Sequence, residues 1–215
     1  MSQKVNYSAY TVAPHLEAVY NIPFTSFRAA FTQYNHFVGG SLIFSRTATN
    51  PERLRILLLQ RASTDAFPEL WEGSGGSFED EDKTILEVVA RELFEETGLR
   101  VLKFVEFVQI EEWEKQGLGL VGKFTFIIEA DEARPPVPLS KEDKTLLGDE
   151  PDDGTITPGL SKHLEHLPKL DPAEHQAFTW ATEEEVREGK FKSFGLQAET
   201  ILKGFNILKQ KLGLI

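Results

Sequence analysis

The chain contains 215 residues, of which 40% are hydrophobic and 16 are phenylalanine, so it can bury the core of one generous domain. Its formal net charge of −11 argues against a surface that binds long nucleic acids, because phosphate backbones attract clustered lysine and arginine. The absence of cysteine excludes disulfides, thiolate zinc sites and a thiol nucleophile.

The N-terminal segment, residues 1–36, mixes proline, tyrosine and histidine with a weak apolar pattern. We predict that it is an extension packed on a domain that occupies residues 37–215. The first residues lack the apolar stretch of a signal peptide. The longest apolar runs, such as residues 56–59, are far shorter than the roughly 20 residues that span a bilayer. The sequence therefore predicts a soluble, cytoplasmic protein without a membrane partner.

Two strands and a glycine-rich loop are predicted next along the chain. Residues 37–44 form a first strand whose paired glycines allow another backbone to approach closely. Residues 54–61 contain four apolar residues in succession, which is typical of a strand buried on both faces. Residues 63–77 are rich in glycine, proline and serine and contain Trp71, which predicts a loop.

A helix is predicted over residues 84–97, where apolar residues recur at helical spacing. Asp82 or Thr84 is expected to cap its N-terminus, and Gly98 is expected just beyond its C-terminus. The remaining elements are two strands, a long insertion, a last strand and two helices: residues 102–112, 123–130, 132–170, 176–180, 182–188 and 197–212. This order predicts an α/β or α+β fold in which helices cover a mixed sheet.

Two of these later segments have distinctive sequences. The insertion at about residues 132–170 contains several prolines, acidic clusters and few large apolar residues, and structureless segments of that length are usually functional or disordered. The short helix starts with Thr182, and Glu185 follows three residues later, as in a capping box.

Three glutamates lie close together on the helix predicted at 84–97. Glu92, Glu95 and Glu96 are spaced at i+3 and i+4, so they lie one turn apart, beside an apolar stripe formed by Leu86, Val89, Ala90 and Leu93. Like charges repel, and the macrodipole disfavours negative charge near the C-terminus of a helix. The cluster therefore predicts a bound cation, and hard oxygen ligands suit Mg²⁺ or Mn²⁺. The alternative is a solvated acidic face, the commoner meaning of such a cluster on a helix taken alone.

The residues around these glutamates resemble the Nudix box of the Nudix hydrolase superfamily. That pattern reads G-x5-E-x7-R-E-U-x-E-E-x-G-U, with U aliphatic, and every defined position from Arg91 to Leu99 matches it. In outline the similarity covers about residues 37–210, and it is strong over 70–99. The resemblance implies an α/β/α sandwich around a mixed β-sheet and hydrolysis of a diphosphate linkage in a small organic diphosphate.

The upstream half of the box departs from the family pattern. Fourteen residues separate Gly76 from Arg91, where the pattern has thirteen. The upstream glutamate position therefore falls on Asp82 if the extra residue follows it, or on Lys83 if the extra residue precedes it. Asp82 is our preferred candidate, with Glu79 and Glu81 as nearby alternatives.

The resemblance also implies roles for individual residues. Glu92, Glu95 and Glu96 would bind Mg²⁺ or Mn²⁺, and one of them would also serve as the base. The predicted catalytic group is Arg91, Glu95 and Glu96, in which Arg91 orients the carboxylates through bidentate contacts. Gly75 and Gly76 would shape the loop before the helix.

For several residues outside the box, two different roles are consistent with the sequence. Glu174 is either a turn residue or an additional metal ligand or base, and His175 is either structural or in contact with substrate. Trp71 either belongs to the core or forms a wall of the substrate pocket. Weaker candidates are three cations for a terminal phosphate and two histidines within the insertion: Arg46, Arg61, Lys123, His163 and His166.

Two hypotheses of different classes follow. The first is a Mg²⁺-dependent enzyme that acts on a small-molecule diphosphate, with no long nucleic acid as partner and with an N-terminal extension that is compatible with a homodimer. The alternative is a catalytically weak Nudix-fold module that binds a ligand or has a regulatory role. The presence of all three central carboxylates favours the enzyme. The extra residue before Arg91 favours the ligand-binding or regulatory module.

Overall fold

The computed structural model describes residues 9–46, 53–65, 67–132, 168 and 170–215. Strands and short N-terminal helices come first: β1 (Thr11–Val12), α1 (Pro14–Tyr20), α2 (Phe24–Ala30), β2 (His36–Arg46), β3 (Leu54–Arg61), β4 (Trp71–Glu72) and β5 (Gly75–Ser77). The remaining elements are α3 (Ile85–Thr97), β6 (Leu99–Lys115), β7 (Gly119–Glu132), β8 (His175–Thr182), α4 (Glu183–Arg187) and α5 (Gln197–Lys211).

The described residues form one eight-stranded mixed sheet. Its main path runs β1-β6-β7-β2-β3-β4, with β5 paired to β2 and β8 paired to β3. β2 runs parallel to β7, and β1 runs parallel to β6, whereas the other pairs are antiparallel. The predicted mixed sheet is therefore confirmed, with β2 at its centre.

Helices cover both faces of this sheet. A Cβ added at Gly39 of β2 would lie 2.8 Å from the Val89 side chain, so α3 packs directly on the sheet backbone. On the opposite face, α5 approaches through Gly204, where an added Cβ would lie 2.7 Å from Leu42. Two apolar clusters, one on each side, fill the spaces between helices and sheet. This arrangement confirms the predicted α/β/α sandwich.

The described part of the N-terminal segment packs on the α3 side. β1 adds a parallel strand to β6, Phe27 of α2 is fully buried, and Phe24 stacks on Phe78 with ring centroids 3.5 Å apart. These contacts support the proposal of an extension packed on one domain, although residues 1–8 lie outside the described residues.

The main differences from the sequence prediction concern strand lengths. The predicted loop at 63–77 contains the short strands β4 and β5, because its tryptophan and glycine segments pair with β3 and β2. β6 and β7 extend well beyond their apolar centres and form a long hairpin whose register shifts at several points. Most of the predicted insertion, residues 133–167 and 169, lies outside the described residues.

The predicted helices at the C-terminal end are confirmed. Thr182 and Glu185 form the reciprocal capping box of α4, and α5 buries its apolar side, including Ile201 and Phe205, against the sheet. Among the described residues, no helix combines the length and apolar character needed to cross a membrane.

Candidate functional site

Helix α3 is fixed at both ends and along its apolar side. Thr84 caps its N-terminus by accepting a hydrogen bond from the Glu87 backbone N–H, and Gly98 ends it in the left-handed conformation at φ +73°. The predicted stripe is buried, since Leu86, Val89, Ala90 and Leu93 are all at most 3% exposed. The helix therefore cannot rotate without exposing its core side, and this holds its polar flank beside the glycine loop.

Arg91 connects the carboxylates of this flank. Its guanidinium donates to Glu92 at 2.9 Å, to Glu95 at 3.0 Å, and to Asp82 through Nε at 3.2 Å and Nη2 at 3.0 Å. It also donates to the Ser77 carbonyl at 2.8 Å. Burial would lower the Arg91 pKa, but the hydrogen bond to Asp82 and the surrounding acidic charges raise it above its usual range. Arg91 therefore stays charged and fixes the positions of three acidic side chains.

Glu92 occupies a space that only glycine leaves free. A Cβ added at Gly76 would lie 2.3 Å from the Glu92 carboxylate, so a side chain at that position would displace it. The Glu92 side chain is only 12% exposed. Burial raises its pKa to about 7, although Arg91 opposes the shift. Glu95, by contrast, is 47% exposed and lies on the solvent side of the cluster.

Glu96 is the most deeply buried carboxylate of the helix, at 3% exposed. It accepts a hydrogen bond from the Gly75 backbone N–H at 3.0 Å. A Cβ at Gly75 would lie 2.3 Å from the Gly39 carbonyl oxygen, so this close approach requires glycine. Burial raises the Glu96 pKa well above its usual value, and the neighbouring acidic residues, first Glu72, raise it further.

A turn before β8 brings two more residues to Glu96. The Asp171 backbone N–H donates to the Glu96 carbonyl at 3.3 Å, and the Ala62 N–H donates to the Glu174 carbonyl at 2.8 Å. As a result, ligand atoms of Glu96, Glu174 and His175 all lie within 4.8 Å of one another. Glu174 and His175, which the sequence analysis considered separately, therefore both lie beside the most buried carboxylate of α3.

Glu72 on β4 joins the site from the other side. Burial alone would raise its pKa, but His175, Lys123 and Arg61 outweigh that effect and hold it at about 2. The Arg61 guanidinium donates to Glu72, and Lys123 Nζ lies 3.9 Å from Glu72 Oε2. Two of the cations considered for a terminal phosphate are thus engaged by Glu72.

Trp71 precedes Glu72 and is partly buried. Its ring packs edge-on against Phe191, with centroids 5.3 Å apart, and it contacts the core cluster on the α5 side. The third cation, Arg46, lies at the far end of β2 from the glycines that contact the box. His163 and His166 lie outside the described residues.

Sequence reasoning did not single out Glu72 and did not associate His175 with the carboxylates of the helix. The signal for Glu72 was its position just before the glycine loop, within a segment already recognised as similar to the family. The signal for His175 was its position next to Glu174, at the start of a predicted strand. Both lie far from the helix in sequence, so only pairing of β4 and β8 with β3 brings them to it.

The arrangement concentrates negative charge around a small volume. Ligand atoms of Glu96 and Glu174 lie within 4.8 Å of each other, and charge repulsion from Glu72, Glu92 and Glu174 raises the pKa of Glu96. Arg91 compensates Glu92 and Glu95 but does not reach Glu96 among its hydrogen-bond partners in the described residues. Buried carboxylates in this situation are stabilised by a metal ion or by protonation. The site therefore has the oxygen donors and the uncompensated negative charge that suit a divalent cation.

Comparison with known proteins bears on this site. The NUDIX domain family model matches residues 43–198, which is most of the chain. No curated protein matches the sequence. The fold is similar to that of the NUDIX domain of Shewanella oneidensis NrtR complexed with ADP ribose, which is 16% identical with a TM-score of 0.51 over 80% of this chain and 87% of that one.

Two further solved structures share the fold at a TM-score of 0.50. The MutT protein from Methanosarcina mazei Go1 is 18% identical over 81% of this chain and 95% of that one. A NUDIX hydrolase from Nitrosomonas europaea is 17% identical over 78% of this chain and 86% of that one. At such identities the likeness concerns the fold, and the chemistry has to be argued from the site.

Proposed function

The chain belongs to the Nudix family, and on that premise we propose that it is a hydrolase that cleaves a diphosphate linkage in a small organic diphosphate with Mg²⁺ or Mn²⁺. The observation that carries the proposal is the buried carboxylate pair Glu92 and Glu96. Each of the two carboxylates lies against a glycine, which has no side chain to displace it. Gly76 leaves room for the Glu92 carboxylate, and Gly75 donates its N–H to Glu96. A stability-driven sequence would avoid this burial of like charge.

The residues that would hold the cation are Glu92, Glu95 and Glu96, with Glu174 next to them. A divalent cation bound there supplies Lewis acidity toward a phosphoryl oxygen and lowers the pKa of a bound water. Arg91 keeps Glu92 and Glu95 in fixed rotamers by donating to both. Pre-set ligand geometry of this kind reduces the reorganisation that binding and reaction would otherwise require.

Glu95 is the best placed of the three to exchange protons with a water molecule. It is the exposed member of the cluster, whereas Glu96 is enclosed and held by the Gly75 N–H. We therefore assign Glu96 mainly to ligation and Glu95 to ligation or to the acceptance of a proton as general base. Asp82 acts on the chemistry only through Arg91, as a positioning residue.

A small organic diphosphate fits the surroundings of the cluster better than a long nucleic acid. The chain is strongly acidic, at −11, so affinity for a phosphorylated ligand has to come from a local cation. Trp71 precedes Glu72 in β4 and packs edge-on against Phe191, and we propose that this aromatic pair contacts an apolar or planar organic group of the substrate. ADP-ribose, the ligand in the NrtR domain structure, belongs in the panel of diphosphates to test.

The experiment is a screen of purified protein, with Mg²⁺ and with Mn²⁺, against nucleoside diphosphate derivatives, sugar diphosphates and other organic diphosphates. We expect release of phosphate or of a monophosphate from at least one of them. Glu96→Gln and Glu95→Gln should each lower kcat by at least about 100-fold, as expected for loss of a group that stabilises the transition state. Glu114→Gln, at the exposed tip of the β6–β7 hairpin, is the matched control and should keep wild-type activity.

The alternative function, a ligand-binding or regulatory module, predicts a different result. Calorimetry would then show a diphosphate binding without divalent cation, and no substrate would turn over. If both Glu95→Gln and Glu96→Gln keep wild-type turnover, the protein is a hydrolase but these glutamates are not its catalytic site.

A further inference from the structure

His175 is a buried histidine that has no role in the proposed hydrolysis. It is the first residue of β8 and is only 2% exposed. Neither Nδ1 nor Nε2 has a hydrogen-bond partner among the described residues. A buried polar atom without a partner destabilises the fold, so buried imidazoles normally have one. The position of His175 therefore requires a partner of another kind.

Glu72 is the protein group that comes nearest to being that partner. His175 Nε2 lies 3.6 Å from Glu72 Oε1, which is beyond the distance of an N–H···O hydrogen bond. Glu72 is already engaged by Arg61 and lies close to Lys123. His175 is thus one of three groups around Glu72, and at this distance Glu72 leaves both ring nitrogens without a hydrogen bond in the described part of the chain.

A cation held together with two nearby carboxylates explains the buried imidazole better. Donor atoms of Glu96, Glu174 and His175 lie within 4.8 Å of one another. Ligand bonds of about 2.0–2.2 Å place donors on opposite sides of a cation about 4.0–4.4 Å apart. Small rotations of these three side chains would bring all of them onto one ion.

The turn that carries two of these residues is itself fixed to the box helix. Asp171 donates its N–H to the Glu96 carbonyl and accepts the His175 N–H at 2.8 Å. The Asp171 carboxylate also accepts the Ala173 N–H at 2.9 Å. The separation of Glu96 from the Glu174–His175 pair is therefore set by backbone contacts, as a metal site requires.

We infer that His175 is a nitrogen ligand that binds, with Glu96 and Glu174, a divalent transition metal in preference to Mg²⁺. The inference rests on the proposed function, because it assigns one cation position of that same site. Mg²⁺ takes oxygen ligands, whereas imidazole suits Co²⁺, Ni²⁺ and Zn²⁺ and binds Mn²⁺ more weakly than these three. One nitrogen among carboxylates thus biases the choice of metal without excluding Mg²⁺ from the all-oxygen positions.

The direct test is pulsed EPR of the full-length protein loaded with one equivalent of Mn²⁺. A coordinated imidazole produces ¹⁴N modulation of the Mn²⁺ echo, and oxygen ligands do not. We expect the modulation in the wild type and its loss in His175→Gln. His15→Gln is the matched control, since His15 is an exposed histidine of α1 that pairs with Glu106 of β6. A His163→Gln/His166→Gln double variant should also retain the modulation.

Metal titration supplies the second measurement. His175→Gln should weaken Mn²⁺ and Co²⁺ binding at least about ten-fold, the lower bound for loss of groups that only support a ligand, and should change Mg²⁺ binding by about two-fold or less. Glu174→Gln should weaken all these metals, and because Glu174 is exposed this variant remains informative if His175→Gln fails to fold.

The outcomes separate this inference from the function on which it rests. Mg²⁺-dependent hydrolysis with no ¹⁴N modulation in the wild type, or modulation that persists in His175→Gln, would overturn the role of His175 and leave the hydrolase standing. A wild-type protein that neither binds a divalent cation nor hydrolyses any diphosphate would overturn both.

Discussion

The buried carboxylates predict that this protein's stability depends on pH and metal together. Burial raises the pKa of Glu92 from its ordinary value of 4.5 to about 7. A group whose pKa is raised by folding stabilises the protein fully below the unfolded pKa, and this contribution is lost as pH rises through the folded pKa. The metal-free protein should therefore become less stable between about pH 4.5 and 7. Glu96, whose pKa is also raised, acts with the same sign.

The size of the effect follows from the Glu92 shift. At 1.36 kcal/mol per pKa unit, the change from 4.5 to about 7 corresponds to about 3 kcal/mol. For a domain of this size that is about 6–12 °C in Tm, at 2–4 °C per kcal/mol. Glu72 does not obscure the effect, because its pKa of about 2 confines its own contribution to more acidic solutions.

The assay is urea denaturation at pH 5.5 and pH 8, each in EDTA and in Mg²⁺. We expect the metal-free wild type to lose stability at pH 8 and Mg²⁺ to restore it there, with little Mg²⁺ effect at pH 5.5, because protonated carboxylates do not bind the cation. Glu92→Gln should reduce the pH dependence in EDTA by the Glu92 contribution and leave that of Glu96, while keeping its hydrogen bond from Arg91. An identical pH slope in wild type and Glu92→Gln would refute the reasoning, as would a metal effect of equal size at both pH values.

Two further predictions concern residues that shape the carboxylate cluster. Gly76→Ala places a methyl group 2.3 Å from the Glu92 carboxylate, so we expect kcat/KM to fall at least about 10-fold with the fold retained by circular dichroism; wild-type kinetics would show that Glu92 moves freely. Arg91→Lys keeps the charge but loses the fork that reaches Glu92, Glu95 and Asp82, so Mg²⁺ affinity by calorimetry should fall about 10- to 100-fold. An unchanged affinity would mean that Arg91 contributes charge alone.

The sequence predicted the box helix well because its determinants are local. Thr84 caps α3, Gly98 ends it, and the apolar stripe of the helix fixes which side faces the sheet. Each of these follows from side-chain chemistry within a few residues. The same reasoning found the capping box of α4 and the buried strand β3.

The rest of the site could not be predicted because it depends on contacts that are distant in sequence. Glu72 and His175 meet near Glu96 only after β4 and β8 both pair with β3. Nothing in the local sequence distinguishes His175 from a satisfied core histidine, and its missing hydrogen bonds are visible only in the folded chain. The short helices α1 and α2 were missed for a related reason: seven residues each give too few turns for a clear apolar period.

The extra residue before Arg91 illustrates how the fold tolerates a departure from the family pattern. One residue inserted within α3 would rotate everything beyond it by about 100° and separate Arg91 from the loop. The helix is instead continuous from Ile85 to Thr97, and Asp82 reaches the Arg91 guanidinium with both carboxylate oxygens. We propose that the extra residue lies between Asp82 and the first helical turn, where the Lys83 backbone N–H donates to the Glu87 carboxylate at 2.8 Å. This geometry supports the proposal that Asp82 occupies the upstream acidic position of the box.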